Sequence, residues 1–294
     1  MIWTDVGPRD GLQNISDEVS TRSKVELVRG LIDAGAPLIE AGAFVSPKWV
    51  PQMADSAEVF AAFSDREKSR FRALIPNRQG LDRAVDAGVT RVLFTIGATD
   101  DFNQRNVNKS VAESLEELRL ITAVPDVKVD VALSVAFGCP FAGQVAHEVV
   151  VDLCKQLVDL GANEVGIADT IGVATPSAVR ELCAKVAVVV PAEQLSLHVH
   201  DTRGLAVANV LAAYEIGVTR FDGSVGGVGG CPFAPRSTGN VCSEDALAAL
   251  VSVGAQIDAD LSTYCDVASR LAGVLGHDLP GKLYRAGIWS GNAT

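Results

Sequence analysis

Apolar positions along the chain fall into two alternating rhythms. Amphipathic stretches with helical spacing end on a glycine, and a short, almost wholly apolar run follows within a few residues. The phrase is clearest as LIDAGAPLIE at 31–40, AVDAGVTRVLF at 84–94, LVDLGANEVGI at 157–167 and AYEIGVTRFD at 213–222. A glycine just past a helix accepts the left-handed conformation that closes it. The β-branched and aromatic run behind it reads as a parallel strand buried on both faces. Strands are predicted near 2–6, 37–41, 70–75, 91–96, 127–135, 163–168, 194–199 and 219–223. Helices are predicted near 21–34, 54–63, 79–87, 110–123, 146–160, 176–190, 205–216 and 243–252. Pro176 is suited to a first helical position.

Eight strands, each followed by a helix, predict an α/β chain folded as a (β/α)8 TIM barrel. An open doubly wound sheet is the alternative, but no GxGxxG follows the first strand. The rhythm stops near residue 254. One more helix, about 260–275, and a Gly/Pro-punctuated tail follow. The expected organisation is a catalytic barrel over 1–253 with a short C-terminal helical extension, 254–294, packed on it.

Composition narrows the class. With 294 residues, 48% of them hydrophobic and 21% charged, the chain suits a large globular core rather than disorder. A net charge of −11 argues against a nucleic-acid partner or an anionic membrane surface. No apolar run approaches the ~18 residues of a membrane span. The chain opens directly into a strand without a leader-like stretch, so a cytoplasmic protein is expected. The six cysteines show no CxxC and several lie in apolar helical patterns, which predicts reduced, mostly buried thiols.

Barrel enzymes build their sites at the C-terminal ends of the strands. Behind the first strand stands VGPRDGLQN, 6–14, with Arg9 and Asp10 between glycines. Alone, such a pair reads better as a surface turn. Behind the seventh stands LHVHDT, 197–202. His198 and His200 are two apart and point the same way, which in a strand end favours metal binding. Barrel closure brings the first strand beside the eighth, next to the seventh. A glycine-rich loop, 226–240, follows the eighth strand and reads as a mobile flap ending at Asn240. Two imidazoles, a carboxylate and an amide oxygen suit Mg²⁺ or Mn²⁺ better than structural zinc. Glu40 reads either as an active-site group or as an ordinary strand-end carboxylate. Asp169 reads either as an active-site group or as a cap for the following helix, and Cys231 as a thiol in the glycine loop. His147 and His277 are assigned no role.

Six stretches together carry a resemblance: VGPRDGLQN (6–14), EAGAFVSPKWVPQMAD (40–55), GCPFAG (138–143), ADTIGVATP (168–176), HVHDT (198–202) and GGCPFAPRSTGN (229–240). In this order they resemble the 3-hydroxy-3-methylglutaryl-CoA lyase family of metal-dependent barrel lyases. The resemblance implies Asp10, His198, His200 and Asn240 as ligands of a divalent cation. It implies Arg9 as the catalytic cation, Glu40 and Asp169 as active-site carboxylates and Cys231 as the flap cysteine. It also implies an acyl-CoA substrate, retro-Claisen cleavage to acetyl-CoA and acetoacetate, and a place in leucine degradation. A homo-oligomer is the expected assembly. Three stretches depart from the family pattern: Ile15-Ser16, the strand-four end at 95–101, and Arg203-Gly204-Leu205. All lie near the barrel mouth and bear on the substrate's identity. Citramalyl-CoA, or a larger 3-hydroxy-3-alkylglutaryl-CoA, is the alternative substrate. A Claisen-condensing synthase and a non-catalytic barrel are weaker alternatives.

Overall fold

A computed structural model describes residues 1–16, 18–230 and 239–289. In chain order the elements are β1 (Ile2–Asp5), α1 (Thr21–Asp33), β2 (Leu38–Ala43), α2 (Ser56–Ala61), α3 (Asp65–Lys68), β3 (Phe71–Ile75), α4 (Arg78–Asp86), β4 (Arg91–Gly97), α5 (Asp100–Val107) and α6 (Val111–Thr122). They continue as β5 (Lys128–Ser134), α7 (His147–Asp159), β6 (Glu164–Asp169), α8 (Pro176–Val186), β7 (Leu195–Val199), α9 (Ala206–Glu215), β8 (Arg220–Gly223), α10 (Ser243–Ser252), α11 (Leu261–Leu275) and α12 (Leu283–Ala286). The eight strands pair in sequence order, all parallel, and β1 pairs with β8 to close the barrel.

The repeated glycine phrase has one structural meaning. Gly35, Gly88, Gly161 and Gly217 have φ of +80°, +80°, +89° and +97°. In each, the residue after the glycine donates its N–H back five positions: Ala36 to Leu31, Val89 to Ala84, Ala162 to Leu157 and Val218 to Ala213, at 3.0–3.1 Å. One helix stop, used four times, returns the chain into the next strand.

The predicted helix over 54–63 forms as the shorter α2, preceded by a short turn at Pro51–Met53 and followed by α3, which Ser64 caps. The predicted helix over 176–190 ends at Val186. Helix α5, absent from the pattern, follows β4. The C-terminal extension packs α11 against α1 and α10. Beyond α11, Gly281 donates to the Gly226 carbonyl at 2.9 Å, which ties the extension to the start of the glycine-rich loop.

Candidate active site

The C-terminal ends of β1, β7 and β8 build one side of the barrel mouth. After β1 the chain forms a π-type helical turn, Gly7–Gly11, that swings Arg9 and Asp10 over the barrel. Its glycines allow this. A Cβ on Gly11 would come within 2.6 Å of Val228 Cγ2 and 2.9 Å of Ser224 Oγ, in the loop after β8. On β7, His198 and His200 do share a face, with their Nε2 atoms 3.1 Å apart. Asn240 pairs with His200 in a β-bridge, and its Nδ2 donates to Asp10 Oδ2 at 2.8 Å. One ligating atom from each of Asp10, His198 and His200 lies within 4.8 Å of the others.

Electrostatics divides these groups. Burial opposes ionisation of Asp10, but the Arg9 cation and the two imidazoles outweigh it and lower its pKa. His198 is half-buried, which disfavours its charge. Its contact with Asp222, 3.5 Å from Nδ1, outweighs that penalty and raises its pKa. Burial and the neighbouring His198 push His200 down to about 4. The cluster thus offers an ionised carboxylate and a neutral imidazole. Among the described residues, Asn240 Oδ1 and His200 Nδ1 are buried without a partner. A half-turn of the amide exchanges its donor and acceptor ends. Such a mixed nitrogen and oxygen set fits Mg²⁺ or Mn²⁺.

Arg9 is 7% exposed and held from two sides. Nη1 donates to Asp10 Oδ1 at 2.7 Å, and Nε donates to Glu40 on β2. Glu40 is fully buried. It does not reach the cavity but braces Arg9. Asp169 is turned away as well, and it does not cap the following helix. Its two oxygens accept from the Val173 and Ala174 N–H groups at 2.8 and 2.9 Å, which shapes the loop after β6 rather than the helix end, where Thr175 is the cap. Arg203 donates to the Ile171 and Gly172 carbonyls at 3.0 and 2.7 Å and clamps the same loop. Cys231 lies outside the described residues, as does most of the predicted flap. Gly230, at its near end, accepts from Asn14 Nδ2 at 2.8 Å.

Two residues missed in the sequence join the two sides of the site. Arg72, on β3, is 1% exposed. Its Nε donates to Glu40 Oε2 at 2.8 Å and its Nη2 to Asp222 Oδ2 at 3.1 Å. Asp222, on β8, in turn faces His198. The Arg72 cation outweighs burial and lowers the Asp222 pKa. The only signal in the sequence was one charge in the apolar run of β3 and two in the short β8.

A cavity descends from this cluster into the barrel. Arg9, Asp10, His198, His200 and Asp222 line one side of it, and Leu74, Leu93, Thr95, Ala132 and Ala168 the other. No described helix is long and apolar enough to cross a membrane.

The HMGL-like family model matches residues 1–271. A 3-hydroxy-3-isohexenylglutaryl-CoA/hydroxy-methylglutaryl-CoA lyase of Pseudomonas aeruginosa is 43% identical over 275 residues, 92% of each chain. An (R)-citramalyl-CoA lyase of Chloroflexus aurantiacus is 39% identical over 296 residues, covering 96% of this chain and 93% of its own. The structure of an HMG-CoA lyase from A. baumannii, in complex with coenzyme A and 3-methylmalate, superposes with a TM-score of 0.95. It is 37% identical and spans 100% of this chain and 97% of its own.

Proposed function

This chain belongs to the HMGL-like family of carbon–carbon lyases, and we propose that it cleaves a 3-hydroxyacyl-CoA by a metal-dependent retro-Claisen reaction. The reference substrate is 3-hydroxy-3-methylglutaryl-CoA, which gives acetyl-CoA and acetoacetate, the chemistry of leucine degradation. The observation that carries this reading is the convergence of Asp10, His198 and His200 with Arg9 at the mouth of one cavity. We assign the catalytic barrel to residues 1–253 and a packed helical extension to 254–294, in a cytoplasmic homo-oligomer.

Asp10, His198, His200 and Asn240 would hold Mg²⁺ or Mn²⁺. Bound there, the cation supplies Lewis acidity that lowers the pKa of the substrate hydroxyl and orients it. Among the protein groups, Asp10 and His198 are our candidates for taking the substrate hydroxyl proton. As the C3–O bond becomes a carbonyl, the C2–C3 bond breaks and its electron pair passes to the thioester as an enolate. Arg9, fixed by Glu40 and Asp10, presents a guanidinium to the enolate oxygen without having to reorganise. A proton delivered to C2 completes acetyl-CoA, and Cys231 is our candidate donor. Asp169 acts by holding the loop after β6, and Glu40 by holding Arg9.

The test is the purified protein with Mg²⁺ or Mn²⁺ and a panel of thioesters, read by acetyl-CoA release and the ketone product. Acetoacetate from the methylglutaryl thioester supports the reading. Pyruvate from citramalyl-CoA, the substrate named in the Chloroflexus relative, would change the substrate and keep the mechanism. Failure across the panel, together with no metal binding, would leave a non-catalytic barrel.

A further inference from the structure

The two halves of the cavity are chemically unlike. Around β1, β7 and β8 the wall is charged. Around β3 to β6 it is uncharged: Leu74, Leu93, Thr95, Ala132 and Ala168, with Phe102 of α5 beside them and the polar Ser134, Thr170 and Asn106 completing it. Ala132 and Ala168 carry only a methyl group. Barrel interiors are ordinarily filled by layers of bulky branched side chains. Thr95 and Ala132 are instead partners across the β4–β5 register, and Ala168 lines the cavity from β6 beside them. Short side chains on three adjacent strands leave open the space that packing would otherwise fill. Leu74, Thr95 and Ala132 line the cavity yet are only half-buried. Below them Arg72 stands near Asp130 and Glu164, with N–O distances of 3.6 and 3.7 Å, in an ionic layer. Apolar surface left open inside a barrel above such a layer is a ligand wall, not a core.

We infer that Thr95, Ala132 and Ala168 determine substrate specificity, and that the preferred thioester carries an apolar substituent longer than methyl at C3. This rests on the lyase reading above. At C3 the hydroxyl, the carboxylate-bearing arm and the thioester arm all need polar or charged partners, which the β1, β7 and β8 side supplies. The fourth substituent is the one group that the uncharged wall accepts without desolvating a charge. A methyl group covers little of that wall. A chain of several carbons covers it, and apolar pockets discriminate by about tenfold or more per methylene.

The experiment compares 3-hydroxy-3-methylglutaryl-CoA with its 3-butyl homologue on the metal-loaded enzyme, through kcat/KM for acetyl-CoA release. Wild type is expected to favour the butyl compound by about tenfold or more. Ala132→Val and Thr95→Leu, which fill the wall from two strands, each lower the butyl-to-methyl ratio about tenfold. Thr95→Val keeps the volume and removes only the hydroxyl, so it does not lower the ratio. A wild-type ratio below one overturns the inference. So does a ratio that Ala132→Val and Thr95→Leu leave unmoved. Acetyl-CoA from neither thioester overturns the lyase reading itself, and this inference with it.

Discussion

Arg9 is the residue whose geometry says most about the chemistry. A guanidinium bonded to both Asp10 and Glu40 cannot swing away, so it meets developing charge from a fixed position. Replacing Arg9 with Gln is expected to lower kcat by about 10²–10³ with little change in metal affinity. Calorimetry of Mg²⁺ binding beside steady-state kinetics checks this, and an equal loss of metal affinity would make Arg9 a structural residue. Arg72 acts one step further back. It spans Glu40 and Asp222, so it fixes both the brace on Arg9 and the partner of His198. Lysine keeps the charge but loses the planar fork that bridges two carboxylates. Arg72→Lys is therefore expected to lower kcat and weaken Mg²⁺ by about 10–100-fold each while leaving KM nearly unchanged. A rise in KM alone would contradict it. The meeting of Asp10, His198 and His200 was legible because strand ends share the barrel mouth and i, i+2 parity pairs the histidines, whereas Asn240 was named from the glycine-rich loop it ends. Arg72 and Asp222 were not, because a charge in FRALI or RFDG gains its meaning only when β2, β3, β7 and β8 close on one another.

At the scale of elements, the strands were nearly all readable and α5 was not. All eight strands fall within about two residues of their predicted ends, since solid apolar runs bounded by glycine admit few other readings. Helix α5 reads DDFNQRNV, polar and rich in Asn and Asp, with little apolar periodicity to announce it. Tertiary bonds hold it instead. Thr99 caps it, and Asn103, buried within it, accepts from the Gly97 N–H at 2.8 Å. The Asn103 amide also donates to the Lys109 and Ser110 carbonyls and to Ser114 Oγ at 2.7–2.9 Å. One side chain thus joins the end of β4 to α5 and α6, and α5 carries Phe102 and Asn106 to the cavity. Asn103→Ala strands several buried polar groups, so a loss of about 2–3 kcal/mol is expected. KM for the thioester should rise more than kcat falls, because the wall moves and the Asp10–His198–His200 cluster does not. Thermal melts and kinetics check this, and an unchanged melting temperature would show that α5 is held by packing alone.

At the scale of the whole molecule, buried carboxyls set how stability responds to pH. Burial pushes Asp5 and Asp130 up to about 6 and Glu244 up to about 7, from ordinary values of 3.8, 3.8 and 4.5. A carboxyl whose folded pKa is raised binds its proton more tightly folded than unfolded. Its stabilisation is complete below the unfolded value and is lost as pH climbs through the folded one. Asp10 and Asp222, both lowered, act oppositely and lose theirs as pH falls. Glu244 is the cleanest group to test. It sits at the start of α10, where Oε2 accepts from the Gly226 N–H at 3.0 Å, at the root of the glycine-rich loop, while Oε1 has no partner among the described residues. Glu244→Gln keeps the acceptor and removes the titration. Between about pH 5 and about pH 8, wild type should lose on the order of 2 kcal/mol more stability than the variant. Urea unfolding across that range measures the difference. Curves that stay parallel would mean that Glu244 titrates alike in the folded and unfolded chain, and that the Gly226 anchor does not depend on a buried proton.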